Sequence, residues 1–79
     1  MNREQQPSAP IPGDVLVAKR SASTTYDIST VPGPLQIAEH SYASAVERAT
    51  QIARRQAVDA WYTEDHTHFG RIASHRAGP

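Results

Sequence analysis

The chain contains no cysteine, so neither a disulfide nor a thiolate metal site is available to stabilise it. It also lacks an excess of charge, because eight Lys and Arg balance eight Asp and Glu. A dedicated nucleic-acid binder normally carries a positive excess, since phosphate neutralisation supplies most of its affinity. No apolar run is long enough to cross a bilayer. We therefore expect no membrane association and a cytoplasmic location, with which the absence of cysteine agrees.

The length of 79 residues allows one domain. Residues 1–13 are rich in proline and poor in large apolar side chains, which predicts a flexible N-terminal tail ending in a Pro-Gly turn. The domain is expected over residues 14–76, and residues 77–79 form a short C-terminal tail. A domain of this size buries only ~60% of the surface of its unfolded chain, so association with another copy would help to stabilise it.

Two strands are predicted near the start of the domain. Residues 15–18 form a short apolar run, and residues 26–31 alternate between apolar and polar side chains. The sequence Val31-Pro32-Gly33-Pro34 interrupts the second strand, because proline lacks the amide that a sheet ladder requires. Residues 35–39 are expected to continue that strand beyond the break, at an edge of the sheet.

An alanine-rich amphipathic segment over residues 41–57 predicts one helix. Ser41 suits the N-cap, and Ser44 is a rival start because the residues Ser44-Ala45-Val46-Glu47 spell a capping box. We prefer Ser41, since that start lets Tyr42 join the buried stripe. The stripe comprises Tyr42, Ala45, Val46, Ala49, Ile52, Ala53 and Gln56.

A β-hairpin is predicted after the helix, with strands over residues 58–63 and 68–76 around a polar turn. If Val58, Ala60 and Tyr62 face the helix, Trp61 lies exposed on the opposite face. The predicted fold is α+β: a four-stranded antiparallel sheet with one helix on one face, in the order β-β-α-β-β.

Several of these features together resemble a bacterial family of small stand-alone domains, the domain-of-unknown-function 2188 group. They are Tyr26-Asp27-Ile28, the Ser41 cap, the alanine ladder Ala45, Ala49 and Ala53, and the hairpin from Val58 through Asp65 to Ile72. The resemblance covers residues 14–76. It implies the β-β-α-β-β fold and supplies no catalytic residues.

Metal binding and catalysis are not expected. His66 and His68, with Glu64 and Asp65 beside them, provide only two histidines at a hairpin tip, whereas a zinc site needs three or four converging ligands. The chain has no G-x-S-x-G nucleophile motif and no glycine-rich loop that opens the helix. We therefore expect no catalytic residue, no cofactor and no enzymatic activity.

The preferred functional hypothesis is a protein-interaction module that contacts another protein or itself, possibly as a homodimer. The candidate interface residues are Trp61, Thr63 and Tyr26, because an exposed aromatic side chain on an open sheet face is typical of an interface. The alternative is weak nucleic-acid binding through the sheet aromatics and basic side chains. The candidate contacts for that alternative are Arg54, Arg55, Arg71 and Arg76.

Overall fold

The computed structural model describes residues 9–33 and 35–75, except the side chains at positions 35 and 36. Residues 1–8 of the expected tail, the C-terminal tail and Arg76 lie outside the described residues. The elements are β1 (Val15–Lys19), β2 (Tyr26–Thr30), β3 (Leu35–Glu39), α1 (Tyr42–Gln56), β4 (Asp59–Thr63) and β5 (Gly70–Ser74). The predicted α+β class with one helix is confirmed.

The predicted four-stranded antiparallel sheet is wrong in two details. The sheet has five strands in the order β3-β2-β1-β4-β5, because residues 35–39 form a strand of their own that pairs antiparallel with β2 at the sheet edge. It is also mixed, because β1 and β4 are parallel, with Leu16 opposite Trp61. The helix explains the parallel pair. It carries the chain back across the sheet face between β3 and β4, so that β4 runs in the same direction as β3. Since β1 and β3 are both antiparallel to β2, β4 is also parallel to β1.

The helix begins as predicted after Ser41. The Ser41 hydroxyl oxygen accepts a hydrogen bond from the amide of Ser44 at 3.1 Å, so the rival start at Ser44 is wrong. The helix ends at Gln56 and is capped by Ala57, whose backbone is left-handed with φ of 58° and whose amide donates back to the carbonyls of Ala53 and Arg54. A glycine is usual at such a position, and here an alanine occupies it.

The core lies between the helix and one face of the sheet. Ala45, Ala49 and Ala53 are fully buried, and their small side chains let the helix approach β-strand residues Val15, Val17, Ile28 and Ala60 closely. The predicted buried stripe is wrong at its two ends, because Tyr42 is 47% exposed and Gln56 is also exposed.

The chain enters the domain through a tight turn. The amide of Asp14 donates to the carbonyl of Ile11 at 3.0 Å, and Gly13 has φ of +100°, which fits glycine at the third position of a type II turn. The amide of Gly13 donates to the carbonyl of Val31 at 2.6 Å, and the amide of Val31 donates to the carbonyl of Asp14 at 2.9 Å. These bonds fasten the start of β1 to the end of β2.

Candidate interaction surface opposite the helix

Trp61 lies on the sheet face opposite α1. Its neighbours in β4, Ala60 and Tyr62, belong to the helix-side core, and side chains alternate along a strand. The expected exposure of Trp61 is nevertheless wrong, since only 2% of the residue is accessible to solvent. The indole is therefore part of a second, smaller packed region and not an exposed anchor.

Two polar side chains, Asp14 and Arg71, contact the Trp61 indole. Its Nε1 donates to Asp14 Oδ2 at 3.0 Å, and the Arg71 guanidinium carbon lies 4.9 Å from the ring centroid. Arg71 Nε is in turn 3.8 Å from Asp59 Oδ2. A guanidinium at this distance interacts favourably with the face of the ring while covering it. Arg71 therefore contributes to the burial of Trp61.

Asp14 is the residue that sequence reasoning missed. It is fully buried, and its carboxylate accepts from three nitrogen donors: the amide of Asp59 at 3.2 Å, the amide of Ile11 at 3.1 Å and the Trp61 indole. Buried carboxylates persist in proteins when their oxygens are hydrogen-bonded in this way. The available signal was an acidic residue placed directly between a Pro-Gly turn and an apolar strand.

The three candidate interface residues do not form one surface. Thr63 is 1% exposed, and its hydroxyl donates to the carbonyl of His68 at 2.7 Å and accepts from the amide of His66 at 2.9 Å. It therefore holds the turn between β4 and β5. Tyr26 is half-buried on the helix side, where it packs against the core. Only Trp61 and Thr63 share a face.

Tyr26, Tyr42 and Tyr62 form an aromatic cluster near the start of the helix. The ring centroids of Tyr42 and Tyr62 are 5.0 Å apart at 85°, and those of Tyr26 and Tyr42 are 5.9 Å apart at 67°. Both arrangements are edge-to-face contacts, which aromatic rings favour. The Tyr62 hydroxyl donates to Glu64 Oε2 at 2.8 Å. Burial, and then this bond to a carboxylate, raise the pKa of Tyr62 well above its ordinary value.

The turn between β4 and β5 is organised by Asp65. Its Oδ1 accepts from the amides of Thr67 and His68, both at 2.8 Å, and its Oδ2 lies 2.9 Å from His68 Nδ1. The His68 amide, then the His68 ring and the Thr67 amide, hold the pKa of the Asp65 carboxyl well below its usual range. Within residues 9–33 and 35–75, no group of three His, Asp or Glu side chains converges on a point that could hold a metal ion.

A cleft of about 280 Å³ opens on the sheet face opposite the helix. Leu16 and Ala18 form its apolar floor. Arg20 and Asp27 stand on one side as an ion pair at 2.7 Å, and Glu64 lines the cleft from the β4–β5 turn. The complete lining is Leu16, Ala18, Lys19, Arg20, Ser21, Asp27, Ser29, Glu64 and His66. The cleft therefore combines a small apolar base with charges of both signs.

The candidate nucleic-acid contacts are dispersed over the molecule. Arg54 and Arg55 are exposed in the last turn of α1, whereas Arg71 lies on the opposite side of the sheet over Trp61. Arg76 is outside the described residues. These side chains do not provide the single basic face that binding to a phosphate backbone requires.

Comparisons with known proteins give no further assignment. No family model matches the chain, and searches of curated proteins and of solved structures find no match either. In the part of the chain that the structure describes, no helix is both long and apolar enough to cross a membrane.

Proposed function

We propose that this chain is a small non-enzymatic domain that acts through a protein contact, and that the contact is self-association across the sheet face opposite α1. The observation that carries the proposal is the cleft above Leu16 and Ala18. An apolar base bordered by polar and charged side chains is the arrangement found at the centre and rim of protein interfaces. The resemblance to the bacterial family adds no activity to this proposal.

The charges that line the cleft favour a second copy of this chain as the molecule that binds there. Arg20 and Glu64 both line the cleft, from different loops. In a two-fold symmetric contact, each surface meets an identical surface. We propose that the axis passes between Arg20 and Glu64, so that Arg20 of one protomer faces Glu64 of its partner, and the reverse. The net charge of zero also removes the long-range repulsion that keeps many proteins monomeric.

The proposed role of Trp61 changes accordingly. It pairs with Leu16 across the β1–β4 ladder and is almost completely buried, so it supports the floor of the cleft from the side. Leu16 is the residue that remains half-buried. We propose that the aliphatic side chain makes the contact and that the indole fixes its position.

The test is a charge exchange measured by light scattering over a concentration series. Arg20→Glu and Glu64→Arg should each weaken association, because each places like charges opposite one another in the symmetric contact. The double variant should restore it. Exposed ion pairs typically contribute ~0.2–1 kcal/mol each, and the two-fold axis doubles the effect, so a change of roughly twofold to thirtyfold is expected.

Glu47→Arg is the matched control, since it makes the same charge change on the exposed face of α1. A monomer at all concentrations up to the millimolar range would rule out self-association. Association that responds equally to the control variant would place the contact elsewhere.

A further inference from the structure

A separate channel runs between α1 and the edge strand β3. Two clefts, of about 300 and 290 Å³, adjoin there and share Arg48 and Gln51 in their walls. The first is also lined by Glu39, Ser44 and Glu47, and the second by Ile37, Ile52, Arg55 and Gln56. The channel therefore follows the helix for most of its length, beside β3, which pairs with one strand, β2, among the residues that the structure describes.

We propose that this channel binds an extended peptide of a partner protein, which adds to β3 as a further strand and carries an acidic residue beside an apolar one. A groove between an edge strand and a helix is one of the recurring ways in which folded domains bind peptides. The edge backbone supplies hydrogen bonds, and the groove receives alternate side chains. This site is independent of the self-association proposed above, because it lies on another surface.

The floor of the channel suits an apolar side chain of the peptide. Ile37 of β3 and Ile52 of α1 are partly buried and pack against the core. Both also line the channel, so part of each side chain remains accessible. A peptide residue inserted there would bury apolar surface on both sides without displacing the core.

The two halves of the channel differ in charge. Glu39 and Glu47 line the half near the start of α1, whereas Arg55 lines the half that contains Ile37 and Ile52. Arg55 is exposed at the end that contains Ile37 and Ile52, and it makes no ion pair within the described residues. Arg48 lies midway, with its Nη2 3.3 Å from Glu39 Oε2. An acidic side chain next to the inserted apolar residue would therefore meet Arg55, and this charge pair favours one peptide orientation.

The other sheet edge is less suitable for this role. The pairing of β5 with β4 shifts register in the middle of the strand, opposite Ala60 and Trp61. In β3 the irregularity precedes Ile37, which leaves residues 37–39 in regular register with β2. A bulge in the middle of an edge strand twists it and hinders addition of another strand, whereas a bulge at its start leaves the remainder accessible.

The experiment selects binders from a phage-displayed library of short random peptides and measures them with the intact chain. The proposal expects enriched peptides in which an apolar residue stands beside Asp or Glu. On titration, amide resonances should shift in residues 37–39 and along the second half of α1. Arg55→Glu should weaken the binding of the selected peptide about threefold to tenfold, as for the reversal of one rim charge.

Arg54→Glu is the matched control. It makes the same charge change in the same helical turn, but Arg54 does not line the channel. The site would be refuted if no peptide were enriched, if the shifts mapped to the face that carries Leu16, or if both variants weakened binding equally. None of these results would bear on the light-scattering test of self-association.

Discussion

The carboxylate of Asp14 and the indole of Trp61, 47 residues apart in sequence, are joined by a buried hydrogen bond of 3.0 Å. The same carboxylate binds the amide at the start of β4, so one side chain aligns the two central strands of the sheet. This arrangement gives an aspartate, and not an apolar residue, a principal role in the stability of the domain.

Asp14→Ala is predicted to lower the free energy of unfolding by about 3 kcal/mol, because it leaves the buried N–H groups of Asp59 and Trp61 without an acceptor. Urea denaturation followed by fluorescence of the single Trp measures the effect directly. The control is Asp27→Ala, which breaks an exposed ion pair with Arg20 and should cost less than about 1 kcal/mol. Equal losses from both variants would show that the Asp14 network is not a stabilising feature.

Ala49→Leu is predicted to destabilise the fold by about 1–3 kcal/mol, because a larger side chain must fit where the helix meets the sheet with no accessible surface. Ala43→Leu provides the comparison on the exposed side of the same helix, where it should be close to neutral. The two urea midpoints decide the matter. An unchanged midpoint for the Ala49 variant would contradict the position assigned to that helix face.

The Asp65 turn predicts a dependence of stability on acid. The pKa of Asp65 is lower in the folded than in the unfolded chain, so its contribution is fully present above the unfolded value of about 3.9 and is lost as the pH falls towards the folded value. Asp65→Asn should therefore be less stable than the parent at neutral pH, and the difference should shrink below about pH 4. Urea midpoints across an acid series provide the measurement, and a constant difference would contradict the prediction.

Tyr62 predicts the opposite dependence, in alkali. Its raised pKa means that it remains protonated after a tyrosine of ordinary pKa, about 10, has ionised. Its contribution to stability is fully present below that value and is lost as the pH rises towards the folded pKa. Near-ultraviolet absorbance should show a late tyrosine ionisation step, and Glu64→Gln should bring that step to lower pH. A late step that stays at the same pH in the Glu64→Gln variant would be inconsistent with the prediction.

The local elements were largely accessible from the sequence. Ser41, the alanines at every fourth position and the alternation around Ile28 act through short-range geometry, and all behave as predicted. The sheet order was less accessible. The separate strand β3 and the parallel pairing of β1 with β4 depend on where the helix returns the chain, which no periodicity encodes.

The candidate site shows the same division. Alternation along β4 correctly placed Trp61 on the side away from the helix, but it carried no information about what covers the ring. That depends on Arg71 and Asp14, which reach Trp61 from other strands or loops. Likewise, the sequence marked Arg55 only as a candidate nucleic-acid contact, whereas its position beside Ile37 and Ile52 follows from the packing of α1 on β3.

The parallel pair at the centre of the sheet makes the two halves of the chain depend on each other. The segment before the helix supplies three strands and the segment after it supplies two, but the boundary between them runs through the middle of the core. If the backbone were cleaved near His40, neither fragment would contain a complete apolar interior. The helix with its hairpin would lack β1, and the three-stranded fragment would lack the helix that covers it. Folding therefore requires contacts between parts of the chain that are distant in sequence. Two fragments expressed separately are expected to become structured only when they are mixed.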